Sequence, residues 1–156
     1  AKSLVGSASL GEVLEKAMNL VFEYLKPDRG LLMLYDESDS QLTPRVVKHG
    51  KRSAGGNMSF SRTIVNKVFQ EGVSILTANA MHDQRFTTNE SIMIQQIRSC
   101  MCVPLWDERK TIGILYVDSL IHENLFQQRD LDLMATIAVI SAVAIEQYRL
   151  NDVISR

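Results

Sequence analysis

Between Ser99 and Asp118, apolar residues crowd two short runs separated by a polar Asp-Glu-Arg-Lys turn. The runs read Ser-Cys-Met-Cys-Val-Pro-Leu-Trp and Thr-Ile-Gly-Ile-Leu-Tyr-Val-Asp, the pattern of a β-hairpin. Successive strand residues point to opposite faces. Met101, Val103 and Leu105 therefore share one face, and Cys100, Cys102 and Trp106 the other. In the second run Leu115 and Val117 oppose Ile112, Ile114 and Tyr116. Strands apolar on both faces are covered on both, so this hairpin is expected in the middle of a sheet. Pro104 cannot donate to the ladder, and a local irregularity is expected beside it.

The remaining elements follow in order. Ser9-Leu-Gly-Glu12 fits a capping box. An apolar stripe at Val13, Leu14, Ala17, Met18, Val21, Phe22 and Leu25 predicts a first helix over Ser9–Leu25, stopped by Pro27. Gly30 to Asp36 reads as an apolar strand, and Gln41 to His49 as a more polar outer partner. Gly50 to Asn57 reads as a glycine-rich flexible loop. A helix is predicted from about Ser61 to Glu71, ended by Gly72. Val73 to Thr77 predicts a brief strand, Asn79 to Glu90 an irregular loop anchored by Phe86, and Ser91 to Ile97 two helical turns. The last helix is predicted over Gln128–Asn151.

That last helix places apolar groups around much of its circumference, where a helix wet on one side keeps a polar face. One dry face suits the sheet. The second suits the same helix of another subunit, joined by the first helix, so a homodimer is expected.

Composition narrows the picture. The chain of 156 residues suits one domain, and its 46% hydrophobic and 22% charged content is that of a soluble globular protein. A net charge of -1 leaves no nucleic-acid footprint. The uncharged stretch between Asp132 and Glu146 is short for a bilayer span, so no membrane is expected. Two cysteines make no disulfide scaffold and point to a reducing, cytoplasmic setting.

Four segments, Asp-Gln-Arg-Phe (83–86), Ile-Arg-Ser-Cys-Met-Cys-Val-Pro-Leu (97–105), Ile-Gly-Ile-Leu-Tyr-Val-Asp-Ser (112–119) and Phe-Gln-Gln-Arg-Asp-Leu (126–131), in this order and spacing, resemble the GAF domain family. The resemblance covers nearly the whole chain, taken as a single domain over 1–156. It implies an α+β, GAF/PAS-like fold: a central antiparallel sheet of five or six strands, with the N- and C-terminal helices on one face. Loops and short helices from about residues 50–97 would roof a small-molecule pocket on the other. Transferred residue by residue, the pocket would be lined by Ser61, Ile64, Thr77, Arg85, Phe86, Thr87, Ser91, Ile94, Ile97 and Tyr116. Phe86 and Tyr116 would stack on a flat ligand, and Arg85 would pair with an anion. The rival for the two aromatics is core packing, and for Arg85 a loop-holding bond to Asp83.

The family's chemistries are tested against the residues present. Cyclic-nucleotide binders carry Asn-Lys after the second hairpin strand, then Phe-x-x-x-Asp-Glu. This chain keeps Phe126 and Asp130 but has Ser119, Leu120 and Leu131 at the other three positions. Bilin carriers use a cysteine on the short helix under the pocket, and 91–97 has none. Cys100 and Cys102 are two apart on a strand, with Cα atoms roughly 6.5–7 Å apart and Cβ atoms too distant for an unstrained disulfide. They differ from the loop cysteines of GAF-type free-methionine-sulfoxide reductases and read as small buried hydrophobes. His49, His82 and His122 lack ligand spacing; iron-binding relatives suggest His82, Asp83, Cys100 and Asp118 as a convergent set. No nucleophile elbow or phosphate loop is present.

The expected function is therefore a non-catalytic sensory module of a bacterial signalling or transcription-regulatory protein. It would bind an unidentified small molecule, with no further cofactor, dimerise through its first and last helices, and act on an output domain in the same full-length chain. The alternative is a ligand-free dimerisation spacer whose pocket is filled by its own side chains, Met58, Met81, Met93 and Met101 among them. Cyclic-nucleotide binding or a redox enzyme ranks below both.

Overall fold

The computed structural model describes residues 9–51, 58–85 and 96–155. Helix α1 (Leu10–Leu25) starts at Ser9, whose Oγ accepts the Glu12 backbone N–H at 3.2 Å. It ends at Lys26, held in the left-handed region at φ 50° just before Pro27. Strands β1 (Arg29–Asp36) and β2 (Gln41–His49) form the first hairpin. Helix α2 (Arg62–Glu71) is capped by Ser61 and closed by Gly72 at φ 67°. Strands β3 (Ile75–Thr77), β4 (Ser99–Trp106) and β5 (Thr111–Ser119) follow, then the long helix α3 (Gln128–Ser155).

The strands form one antiparallel sheet in the order β2-β1-β5-β4-β3. The β4–β5 hairpin is central, as its two apolar faces require. On one face Met101, Val103, Leu105, Leu115 and Val117 pack with Val13, Leu14, Met18 and Val21 of α1 and Met134, Ala138 and Ile145 of α3. On the other, Cys100, Cys102, Ile114 and Tyr116 pack with Ile64, Val65 and Val68 of α2. Both end helices thus share one side, and α2 takes the opposite one.

Two side chains depart from simple alternation. Leu105 pairs with Gly113 while Trp106 pairs with Thr111, so Ile112 is an extra residue in β5. A bulge turns its residue out of register, and Ile112 joins the α1–α3 cluster instead of the α2 face. Trp106, beyond the bulge, is 45% exposed and not covered. The irregularity expected at Pro104 falls one step along, at Leu105/Trp106. The edge strand β2 carries a second irregularity, at Arg45 beside Pro44.

Gly50 opens the segment read as a loose loop, yet it is pinned. Its N–H donates to the Asp28 carbonyl at 2.7 Å, and a Cβ there would lie 2.8 Å from the Pro27 carbonyl oxygen. The rest of that loop, and the turns expected at 91–95, lie outside the described residues. By length and composition α3 is apolar enough to cross a membrane, more than the short uncharged stretch between Asp132 and Glu146 suggests. Its inner side is docked instead: Met134, Ala138, Ala142 and Ile145 are fully buried against the sheet and α1.

Gly113 sits where β5 passes β1, and a Cβ there would run into the Met33 carbonyl oxygen. Gly113→Ala is expected to lower unfolding stability by about 3 kcal/mol, the upper part of the range for overpacking, read as a reduced urea midpoint at unchanged slope.

Candidate functional site

The polar centre of the structure lies where β1 begins and β5 ends. Arg29 is buried there against Asp118, and the two strands hold them directly opposite in register. Arg29 Nε donates to Asp118 Oδ1 at 2.9 Å, and Nη2 to Oδ2 at 2.6 Å. This is the parallel fork that a guanidinium makes with a carboxylate. Nη2 also donates to the Ser59 carbonyl at 2.8 Å, two residues before the α2 cap. The Tyr116 hydroxyl donates to Asp118 Oδ2 at 2.7 Å. One ion pair therefore joins β1, β5 and the approach to α2.

Burial pushes the Asp118 carboxyl above its ordinary range, against the hydrogen bonds and charge of Arg29 and the bond from Tyr116. For Arg29 burial works the other way, but the bonds and charge of Asp118 outweigh it and the guanidinium is held up. The bidentate geometry is that of an ionised pair. Burial, with the nearby Asp118 charge, raises the Tyr116 hydroxyl well above its usual value and keeps it a neutral donor.

Next to this pair, Ser119 Oγ donates to Asp28 Oδ2 at 2.5 Å and accepts the N–H groups of Ile121 and His122. Ser119 holds one of the positions where cyclic-nucleotide binders carry the Asn-Lys pair, and here it is engaged in closing a turn.

Six of the ten residues suggested for the pocket are described. Ile64, Ile97 and Tyr116 are fully buried in the α2-side core, so Tyr116 has the packing role weighed against stacking. Ser61 Oγ accepts the Ile64 N–H and caps α2. Thr77 is buried on β3, its hydroxyl without a partner in hydrogen-bonding geometry among the described residues, yet near enough to favour the charged form of Asp83. Arg85 donates to Asp83 through Nε and Nη2, and to the Leu76 carbonyl at 2.7 Å, which is the loop-holding role. Phe86, Thr87, Ser91 and Ile94 lie outside the described residues.

Cys100 and Cys102 are free and fully buried, facing α2. Burial raises both thiols well above their usual value, so neither supplies a thiolate. His82, Asp83, Cys100 and Asp118 do not gather: among the described residues no group of three such donors can hold a metal. Arg29 was not singled out by sequence. The available signal was an arginine opening one wholly apolar strand and an aspartate ending another.

A further opening lies between α2 and the β1–β2 hairpin. It encloses about 650 Å³ and is lined by Met33, Tyr35, Leu42, Phe60, Val65 and Phe69, with Arg62, Asn66 and Gln70 along one wall. The Tyr35 and Phe69 rings stack at 5.1 Å.

With this geometry in place, the comparisons are direct. Residues 9–145 match the GAF domain family. The chain belongs to that family. It is 22% identical over 160 residues to the nitrogen fixation protein AnfA of Azotobacter vinelandii, a match covering 96% of this chain but only 29% of AnfA. In fold it is similar to the free methionine-R-sulfoxide reductase of Neisseria meningitidis, with TM-score 0.73, 18% identity, and 95% and 84% of the two chains covered. It is likewise similar to a domain attributed to a two-component sensor histidine kinase of Sinorhizobium meliloti, with TM-score 0.70, 20% identity, and 96% and 99% covered.

Removing one partner of a buried ion pair strands the other. Asp118→Leu is expected to cost about 3–5 kcal/mol, and the triple change Arg29→Met, Tyr116→Phe, Asp118→Leu to recover most of it, measured by urea unfolding. Arg85 holds the Asp83 carboxyl down to about 2 from an ordinary 3.8. A depressed carboxyl contributes stability above its unfolded value and loses it as pH falls. The stability supplied by this pair is therefore expected to fall away as pH drops from 3.8 toward 2, read as a falling urea midpoint, and Asp83→Asn to remove that part of the pH dependence.

Proposed function

We propose that this chain is a regulatory, sensory GAF module without catalytic activity. It binds an unidentified small molecule on the α2 side of the sheet and pairs with a second copy through α1 and α3. The observation that carries the reading is the outer surface of α3. Leu133, Thr136, Ile140, Val143, Gln147 and Leu150 follow one another at alternating spacings of three and four and are all exposed. That spacing, with four of the six residues apolar, supports pairing of two such helices side by side. α1 contributes its exposed Tyr24 beside an otherwise polar outer face. A helix with one apolar side on the sheet and another on a partner links ligand state to the output domain of the same full-length chain. The link works if the ligand prefers one of two helix arrangements.

The proposed chamber is the set Ser61, Ile64, Thr77, Arg85, Phe86, Thr87, Ser91, Ile94, Ile97 and Tyr116. A non-catalytic role is supported by the complete burial of both thiols, which disfavours the thiolate. Free cysteines support a reducing, cytoplasmic setting. One observation favours the spacer as a second reading: Ile64, Ile97, Cys100, Cys102 and Tyr116 pack on one another within the same buried cluster.

Native mass spectrometry of protein purified from cells tests both parts. The sensor reading expects a dimer that carries a reproducible small-molecule mass. A dimer without one favours the spacer. Ile140→Lys with Val143→Lys, both at exposed positions, is expected to give a folded monomer whose melting temperature no longer depends on protein concentration. A wild-type monomer would remove the dimer from either reading.

A further inference from the structure

The opening between α2 and the β1–β2 hairpin shares no residue with the chamber proposed above. At about 650 Å³ it falls within the roughly 300–1,000 Å³ typical of small-molecule sites. Its lining is ordered by chemistry. Arg62, Asn66 and Gln70 recur every four residues on α2, so they form one row along a single wall. Arg62 stands in a first turn without an acidic residue and makes no ion pair with any described residue. Gln70 stands two turns further, about 12 Å along the helix. Beside the row on the same helix stands Phe69, and across the opening Met33 and Tyr35 of β1 and Leu42 of β2 face it, with the Tyr35 and Phe69 rings stacked between the two walls. At the hairpin end Ser40 and Gln41 line the opening, and the turn that carries them holds Asp36 and Asp39.

The opening is thus cationic at the start of α2, aromatic along its length, and rich in acceptors at the hairpin turn. We propose that it binds a planar aromatic carboxylate that carries a hydrogen-bond donor at its far end. The carboxylate meets Arg62, with Asn66 as a neighbouring donor. The ring lies against the Tyr35–Phe69 surface, where aromatic faces favour offset stacking. The distal donor meets the amide oxygens of Gln70 or Gln41. An aliphatic acid would forgo the stacking, and a dianion would meet the acidic turn.

The test uses the full 156-residue chain and two matched probes, 4-hydroxybenzoate and its neutral analogue 4-hydroxybenzamide. Both are titrated while backbone amide resonances are followed. The proposal expects saturable shifts concentrated in residues 33–42 and 62–70. It expects the carboxylate to bind about tenfold tighter than the amide, the worth of one charge-assisted contact. Arg62→Gln, at an exposed position, should abolish that difference without changing the melting temperature. Gln41→Leu with Gln70→Leu should reduce 4-hydroxybenzoate binding to the level of benzoate. Equal affinities of the two probes for the wild-type chain, or no saturable shift, would overturn the proposal. Shifts concentrated at Thr77–Arg85, abolished by Arg85→Gln, would also overturn it while leaving the sensory reading intact.

Discussion

The constraint on which everything else depends is that β5 is dry on both faces and paired on both edges. It lies between β1 and β4, so its backbone groups are satisfied within the sheet. Its side chains alternate between two separate apolar clusters. A strand of this kind cannot lie at a surface. It demands a layer above and a layer below, and among the described residues α1, α2 and α3 provide them. The two ends of the chain cover one side, α2 covers the other, and the molecule acquires two chemically different surfaces.

Against that background the Arg29–Asp118 pair stands out as the costly element. Burying two charges is repaid only with good geometry and further hydrogen bonds. Here the guanidinium fork, the Tyr116 hydroxyl and the Ser59 carbonyl supply them. The pair does more than join two strands. Through Ser59 it ties the sheet to the segment that begins α2, so the α2 layer cannot shift at its N-terminal end without disturbing a buried charge. That makes it a stiff connection between the sheet and the side on which small molecules are proposed to bind.

Helix α2 divides that side in two. Toward β3 lie Thr77, Asp83 and Arg85, a local network whose charges largely satisfy one another. Toward β2 lies the open cleft, with Arg62 free of ion pairs among the described residues. On the opposite face of the sheet, α3 leaves Leu133, Val139, Ile140, Val143 and Leu150 exposed. The side proposed for binding and the side proposed for assembly are separated only by the thickness of the sheet, whose close-packed strands transmit displacement rather than absorb it.

The order of the described elements, the central hairpin, the Ser9 cap of α1, the Gly72 stop of α2 and the two-sided apolar character of α3 were legible in the residues alone. They rest on local rules, namely alternation, helical periodicity and capping, that need only neighbours in sequence. Less was legible wherever partners are distant. Arg29 and Asp118 are 89 residues apart and meet only because β1 and β5 pair. Ile112 changes face because of a bulge that no alternation pattern contains. The cleft at Arg62, Asn66 and Gln70 exists because α2 leaves the β1–β2 hairpin partly uncovered, a matter of how layers of unequal width fit together. Local chemistry thus determined what the pieces are and which faces are dry. Long-range pairing and the packing of layers decided where charge could be buried and where space was left open, because both depend on contacts that the chain makes only when folded.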